Sequence, residues 1–80
     1  MAKDKELLKQ LGLVARRHRE LTDLSQEAFS VVVGVHRTYL GAFERGERNI
    51  TIATLMKISS ALGITPSELL REAEKLARIK

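Results

Sequence analysis

The sequence predicts an all-α fold built from five helices. Apolar residues recur at three- and four-residue spacing in five successive stretches, as they do on the buried side of amphipathic helices. The chain has only five glycines and one proline among 80 residues, and no run alternates apolar and polar residues convincingly. A chain this short buries a limited core and is often stabilised by oligomerisation. We therefore expect residues 1–80 to form one small helical domain.

The first predicted helix starts near Asp4, a suitable N-cap, and ends at Thr22 and Asp23. Gly12 lies inside this helix, where it costs up to about 1 kcal/mol relative to alanine. A close contact with another helix would justify the missing side chain, so we expect such a contact at Gly12. The apolar stripe of this helix comprises Leu7, Leu8, Leu11, Val14, Ala15 and Leu21.

The stretch from Leu24 to Gly46 is predicted to form two short helices joined at Gly34, where the chain can turn with a positive φ. Ser25 is a suitable N-cap for the first of them, Gln26–Val33. Its inward residues are expected to be Phe29, Val32 and Val33, and at least one of Val31 and Val32 should be exposed. Two short helices with a glycine turn form a helix-turn-helix.

The second helix of this unit is expected from about His36 to Arg45, and Gly46 ends it. If Leu40 faces the core, Phe43 and Glu44 share its side of the helix. The opposite side then carries Thr38, Ala42 and Arg45, with Arg37 at the N-terminal end. This surface is small, polar and cationic.

Thr51 is predicted to cap a fourth helix, Ile52–Leu62, which ends at Gly63. Thr65-Pro66-Ser67-Glu68 combines a threonine N-cap, a proline at the first helical position and a glutamate at the third, and this capping box predicts a fifth helix. The apolar residues of these two helices are Leu55, Ile58 and Leu62 beside Met56, and then Leu69, Leu70, Ala73, Leu76 and Ala77.

The composition argues against several classes of protein. There are no cysteines, so we expect neither a disulfide framework nor a thiolate metal site. His18 and His36 lie far apart without further ligands, and no catalytic arrangement of side chains is recognisable, so we expect no metal, no cofactor and no enzyme. The absence of a signal peptide and of a long apolar run favours a soluble cytoplasmic protein. The net charge of +4 is compatible with nucleic-acid binding.

Three short segments of the helix-turn-helix carry a family resemblance. The segments LSQ at 24–26, Gly34-Val35 and Glu44-Arg45-Gly46 resemble the phage-repressor-like (Xre-type) helix-turn-helix family. The run RTYLGAFERGERNITIATLMKISSALGI is similar to the controller proteins of restriction-modification systems, which are small dimeric regulators of their own operon. The resemblance covers roughly residues 11 to 70 and implies a five-helix lambda-repressor-like DNA-binding domain, with the helix-turn-helix at helices 2 and 3.

The third helix is the expected DNA reader, since the major groove admits one α-helix. Arg37 is well placed for a bidentate contact with guanine, and Thr38 offers a hydroxyl to a base and a methyl to thymine. Ala42 and Gly41 are small, so the helix could lie close to the DNA. The alternative interpretation of Arg37 is a solvated surface cation.

Contacts with phosphate position a protein on DNA without reading its sequence. The candidates for such contacts are Ser25, Gln26, His36, Tyr39, Arg45, Arg48 and Asn49. For Ser25 a simple cap is an equal alternative, and for Arg48 and Asn49 the alternative is a solvated loop. The resemblance implies that Gln26 contacts the DNA backbone and braces the recognition helix.

Glu44 lies on the inward side of the third helix, where an unpaired carboxylate would be very costly. In the family, the arginine seven residues before the glutamine of LSQ pairs with this glutamate. The resemblance therefore implies an ion pair between Arg19 and Glu44 that fixes the angle of the third helix. A DNA-contact role for these residues is the less favoured alternative.

A single helix reads few base pairs, whereas a dimer binds two half-sites about 34 Å apart. The C-terminal half has more apolar residues than one small core can absorb, and the resemblance implies that the dimer forms there. An alternative is that these residues only complete the core of the monomer. The interface candidates are Met56, Ile64, Leu70, Leu76 and Ile79.

The expected function is sequence-specific transcription regulation by a homodimer that binds a near-palindromic operator in double-stranded DNA. The resemblance implies control of a restriction-modification operon, with activation at low occupancy and repression at high occupancy. RNA polymerase is a further candidate partner. Two alternatives remain: a phage-type or antitoxin-like repressor, and a protein-interaction module that has lost DNA binding.

Overall fold

The computed structural model describes residues 2–78 and contains five helices in that range. They are α1 (Ala2–Leu21), α2 (Gln26–Val33), α3 (Arg37–Glu44), α4 (Ile52–Leu62) and α5 (Pro66–Ala77). The predicted all-α fold is confirmed. Because α1 already begins at Ala2, Asp4 lies in its first turn and is not its N-cap.

The helix starts follow from local hydrogen bonding. The side chains of Ser25, Thr51 and Thr65 each accept the backbone N–H three residues further on, at 3.1 Å. These bonds satisfy N–H groups that have no partner within the helix. Glu68 turns its carboxylate towards Arg71, 3.4 Å from Nη1, so the described hydrogen bonds include only the threonine half of the predicted capping box.

The core lies where α1 packs against α5 and where α3 packs against α1 and α2. Phe29 of α2 and Phe43 of α3 are among its largest fully buried side chains. The other buried apolar residues are Leu11, Val14, Ala15, Val33, Leu40, Leu55, Ile58, Leu69 and Ala73. Since residues from all five helices contribute, one core positions the helix-turn-helix formed by α2 and α3.

The expected close contact at Gly12 is present between α1 and α3. A Cβ atom built on Gly12 would overlap the carbonyl oxygen of Phe43 and lie 2.9 Å from that of Glu44. Both atoms belong to the backbone at the end of α3, which has little freedom to move away. The glycine therefore allows α1 to approach α3 more closely than any other residue would.

Two predicted core positions are wrong. Val32 is 62% exposed, because the buried side of α2 consists of Phe29, Ser30 and Val33. Ser30 tolerates burial because its hydroxyl donates to the carbonyl oxygen of Glu27 at 2.7 Å. Val31 is also exposed, as expected for at least one of the two valines.

The second error concerns Leu21, which is 80% exposed. Arg19, rather than Leu21, continues the buried side of α1 at its C-terminal end.

Among residues 2–78, no helix has the length and apolar character needed to cross a membrane.

Candidate nucleic-acid interface

The outer side of α3 is open to solvent at its N-terminal end. Arg37 and Thr38 are exposed, and Ala42 is half-buried. His36, the N-cap residue, is exposed and makes no capping hydrogen bond with its side chain. The opposite side of α3 is buried and contains Leu40, Phe43 and Glu44, as the helical spacing predicts.

A buried ion pair joins α1 to α3. Arg19 and Glu44 are 7% and 5% exposed, and the guanidinium donates to both carboxylate oxygens: Nε to Oε2 at 2.7 Å and Nη2 to Oε1 at 3.0 Å. The third nitrogen, Nη1, donates to the carbonyl oxygen of Leu24 at 2.8 Å. The hydrogen bond with Glu44 raises the pKa of Arg19 above its ordinary value, so Arg19 remains charged far into the alkaline range.

Gln26, the first residue of α2, also contacts this carboxylate. Its Nε2 donates to Oε1 of Glu44 at 2.8 Å. Glu44 therefore ties both α1 and α2 to the inner side of α3. Gln26 is itself half-buried, so it lies at the edge of the buried ion pair.

The loop after α3 is held against the helix through Tyr39. The tyrosine hydroxyl donates to the carbonyl oxygen of Asn49 at 3.1 Å, and the guanidinium carbon of Arg48 lies 5.4 Å from the centre of the ring. This distance is typical of a cation–π contact. Arg48 and Asn49 are themselves exposed, so the structure places two candidate phosphate contacts beside the N-terminal end of α4.

Gly41 does not open the surface of α3 as expected. It is buried, and a Cβ atom there would lie 3.2 Å from Nη1 of Arg45 and 3.3 Å from Oε1 of Gln26. The two side chains thus cover the glycine. The sequence analysis did not predict this arrangement. The only signal for it is that Arg45 follows Gly41 by four residues, so the two lie on the same side of α3.

The remaining candidates have differing surroundings. Ser25 is exposed and its hydroxyl is the cap of α2. Arg45 is exposed, and its Nε lies 3.2 Å from Oε1 of Glu47. All the predicted DNA-contact residues lie on α3, at the start of α2, or in the segments flanking α3.

Two of the predicted interface residues line separate grooves. Met56 is 55% exposed and lines a groove between α2 and α4 with Val32, whereas Leu76, 42% exposed, lines another with Val14 of α1. Two other predicted interface residues, Ile64 and Leu70, are half-buried and pack against the core. Ile52, four residues before Met56 on α4, is a further exposed apolar residue, 70% exposed, that was not among the predicted interface residues. Ile79 lies outside the described residues.

Comparisons with known proteins agree with this arrangement. The sequence model of the family described as "Helix-turn-helix" matches residues 16–69, more than half of the chain. Control protein C.MunI from Mycoplasma sp is 49% identical over 57 residues, which are 71% of this chain and 77% of that protein. Control protein C.SmaI from Serratia marcescens is 44% identical over 55 residues, 69% of this chain; the match spans 66% of its own length, slightly under two thirds.

A solved structure gives the same result. The restriction-modification controller protein C.AhdI from Aeromonas hydrophila superposes with a TM-score of 0.75 and 39% sequence identity. The match covers 78% of this chain and 94% of the C.AhdI chain. Members of such a family of regulators bind DNA through the helix-turn-helix. The chain belongs to the helix-turn-helix family and is a transcription regulator homologous to the controller proteins of restriction-modification systems.

Proposed function

We propose that the protein binds a near-palindromic operator as a homodimer and regulates the operon of a restriction-modification system. The observation that carries this proposal is the exposed pair Arg37 and Thr38 at the start of a helix whose inner side is fixed by a buried ion pair. Each subunit places α3 in the major groove, where Arg37 binds a guanine edge and Thr38 and Ala42 contact neighbouring bases. Residues 1–80 act as one domain for DNA binding and dimerisation.

Phosphate contacts on both sides of α3 set the position of each subunit. The exposed side chains of His36, Arg45, Arg48 and Asn49 are available for these contacts, and Ser25 and Gln26 lie at the start of α2. The amino end of a helix favours an anion because its N–H groups point outward. Tyr39 contributes mainly by holding the loop, since its hydroxyl already has a partner.

The dimer brings two recognition helices to half-sites about one DNA turn apart. The outer side of α4 supports this contact: Ile52 and Met56 lie one turn apart and are both exposed, and Lys57 is the only charged residue of that helix. We assign the interface to this side of α4, together with Ile64 and Leu70. Leu76, which lines the groove beside α1, lies outside it in this arrangement.

The proposed target genes are inferred from the relatives: C.MunI is named a control protein, and C.AhdI is named a restriction-modification controller protein. We expect a methyltransferase gene and an endonuclease gene beside the gene for this protein. Activation at low occupancy would recruit RNA polymerase, and repression would follow when more dimers bind. Neighbouring toxin or phage genes would contradict the assignment to a restriction-modification operon. The proposed binding of DNA by α3 would not be affected.

Arg37→Ala should relax specificity at one base position and weaken operator binding by about 1–3 kcal/mol. The measurement is selection from a genomic fragment library, followed by affinity measurements on the enriched duplex at two salt concentrations. Wild-type affinity should fall steeply with salt, because phosphate contacts release counterions.

Arg71→Ala is the matched control, since Arg71 is an exposed arginine on α5 that pairs with Glu68. It removes the same charge and should leave the preferred sequence unchanged. Enrichment of no sequence, or equal behaviour of Arg37→Ala and the control, would contradict the proposed reading of bases by α3.

Met56→Glu should raise the dimer dissociation constant by about 100-fold or more, because two like charges would be buried in a symmetric contact. The monomer should stay folded, since Met56 is 55% exposed. Sedimentation equilibrium measures the dissociation constant, and circular dichroism checks the fold. Leu76→Glu is the comparison: if it dissociates the dimer and Met56→Glu does not, the interface lies on α5 instead.

A further inference from the structure

We propose that Gly41 is a positioning residue for DNA binding: its bare backbone lets the side chains of Gln26 and Arg45 lie over the same part of α3, where the Gln26 amide oxygen orients the Arg45 guanidinium towards a DNA phosphate. The inference rests on the proposed function and adds to it a determinant that makes no DNA contact itself. It depends on three features of the structure: the place of Gly41 on α3, the direction of Arg45, and the orientation of the Gln26 amide.

Gly41 shares one side of α3 with Thr38 and Arg45, which lie three residues before it and four residues after it. On this side of the helix a residue would ordinarily face solvent or DNA. Gly41 is nevertheless buried, because the side chains of Gln26 and Arg45 cover it. A glycine inside a helix lowers helix stability, so its presence here calls for a compensating role.

The helix directs Arg45 over Gly41. Side chains in an α-helix lean towards its N-terminus, and a long one therefore covers the residue four positions earlier. Nη1 of Arg45 comes within 3.2 Å of the place where a Gly41 Cβ would be, and Nε lies 3.2 Å from Oε1 of Glu47. The side chain is thus held at Nε, while its terminal nitrogens lie above α3.

The carboxylate of Glu44 fixes which way the Gln26 amide points. A carboxylate only accepts hydrogen bonds, so the amide nitrogen must face it, and Nε2 donates to Oε1 of Glu44 at 2.8 Å. The amide oxygen is then directed above Gly41, 3.3 Å from the place of the absent Cβ. This oxygen is an acceptor, so it attracts the Arg45 guanidinium rather than a phosphate.

Hydrogen bonds connect the buried ion pair to Gln26, whose amide oxygen lies over Gly41 together with the end of Arg45. Arg19 donates to Glu44 and Glu44 accepts from Gln26, while the Gln26 oxygen and Nη1 of Arg45 lie within 3.3 Å and 3.2 Å of the same point, the place of a Gly41 Cβ. A methyl group on residue 41 would lie closer to both side chains than ordinary van der Waals contact and would displace them. The displacement would affect the ends of two flexible side chains without touching the core.

The test is Gly41→Ala, measured on the duplex enriched from the fragment library. Affinity should fall about tenfold, the typical effect of losing one hydrogen bond to a charged group. The salt dependence of log K should become shallower by about one phosphate contact. The melting temperature should stay equal or rise, since alanine favours a helix over glycine. In an Arg45→Ala background, Gly41→Ala should have no further effect on affinity.

Wild-type affinity in Gly41→Ala would overturn the inference, as would an equal loss with and without Arg45. If Gly41→Ala lowers the melting temperature, Gln26→Met replaces it, because methionine has similar length and no amide oxygen. Arg45→Ala should then weaken binding less in the Gln26→Met background than in wild type, and equal losses would overturn the inference. A wild type that binds no duplex in a salt-dependent manner would refute the proposed function itself, which is a separate result.

Discussion

Replacing Glu44 with alanine should lower the free energy of unfolding by about 3–5 kcal/mol, the range for breaking a buried ion pair. The substitution would leave Arg19, only 7% exposed, with two donors that have lost their acceptors. It would also remove the acceptor of the Gln26 amide. Urea denaturation monitored by circular dichroism measures the change, with a shift of the midpoint at constant slope as the expected result.

The matched control is Glu47→Ala, since Glu47 is exposed and pairs with Arg45 on the surface. Removal of such a pair typically changes stability by less than about 1 kcal/mol. Replacing Arg19 and Glu44 together with methionine should be much less harmful than Glu44→Ala alone, because no uncompensated charge stays buried. Equal stability of Glu44→Ala and Glu47→Ala would show that the pair contributes little to holding α3.

Replacing Gly12 with alanine should destabilise the protein by about 2–3 kcal/mol, even though alanine is the better helix former. The added methyl would meet the backbone carbonyl oxygens of Phe43 and Glu44, which cannot move without shifting α1 from α3. Thermal denaturation should show this as a decrease in Tm of about 4–8 °C for each kcal/mol in a domain of this size.

Gly41→Ala is the internal comparison for this substitution. Both glycines lie inside helices, but the Cβ of residue 41 would meet only the ends of two side chains. The two variants should therefore shift the melting temperature in opposite directions or, at the least, by clearly different amounts. A Gly12→Ala variant as stable as wild type would mean that α1 and α3 can separate at little cost.

The helices could be predicted from the sequence because the signals that start and end a helix lie within a few residues of its ends. Ser25, Thr51 and Thr65 act as caps through bonds to residues three positions away, and Gly34 and Gly63 end their helices with φ angles of 84° and 73°. The close contact at Gly12 was also predictable, since a glycine inside a helix suggests that another helix packs against its backbone. The Arg19–Glu44 pair came from the family resemblance, and no periodicity in the sequence indicates it.

What sequence reasoning missed depends on the rotation of each helix about its axis. Spacing from Phe29 allowed either Ser30 or Val32 on the buried side of α2, and hydrophobicity favoured the valine. In the structure Ser30 is the buried residue, and its hydroxyl donates a hydrogen bond to the carbonyl oxygen of Glu27. The burial of Gly41 under the side chains of Gln26 and Arg45 could not be predicted either. Gln26 belongs to α2 and Gly41 to α3, and the core sets how closely these two helices approach.

The contacts of Tyr39 have an entropic consequence for binding. An unrestrained arginine loses about 0.5–1.5 kcal/mol of rotamer entropy when an interface immobilises it. Arg48 already rests on the Tyr39 ring, and the backbone at Asn49 is already bonded to the Tyr39 hydroxyl. Part of this ordering is thus completed when the protein folds. If the loop contacts phosphate as proposed, it would meet DNA already ordered, and the entropy cost of binding would be smaller by that part.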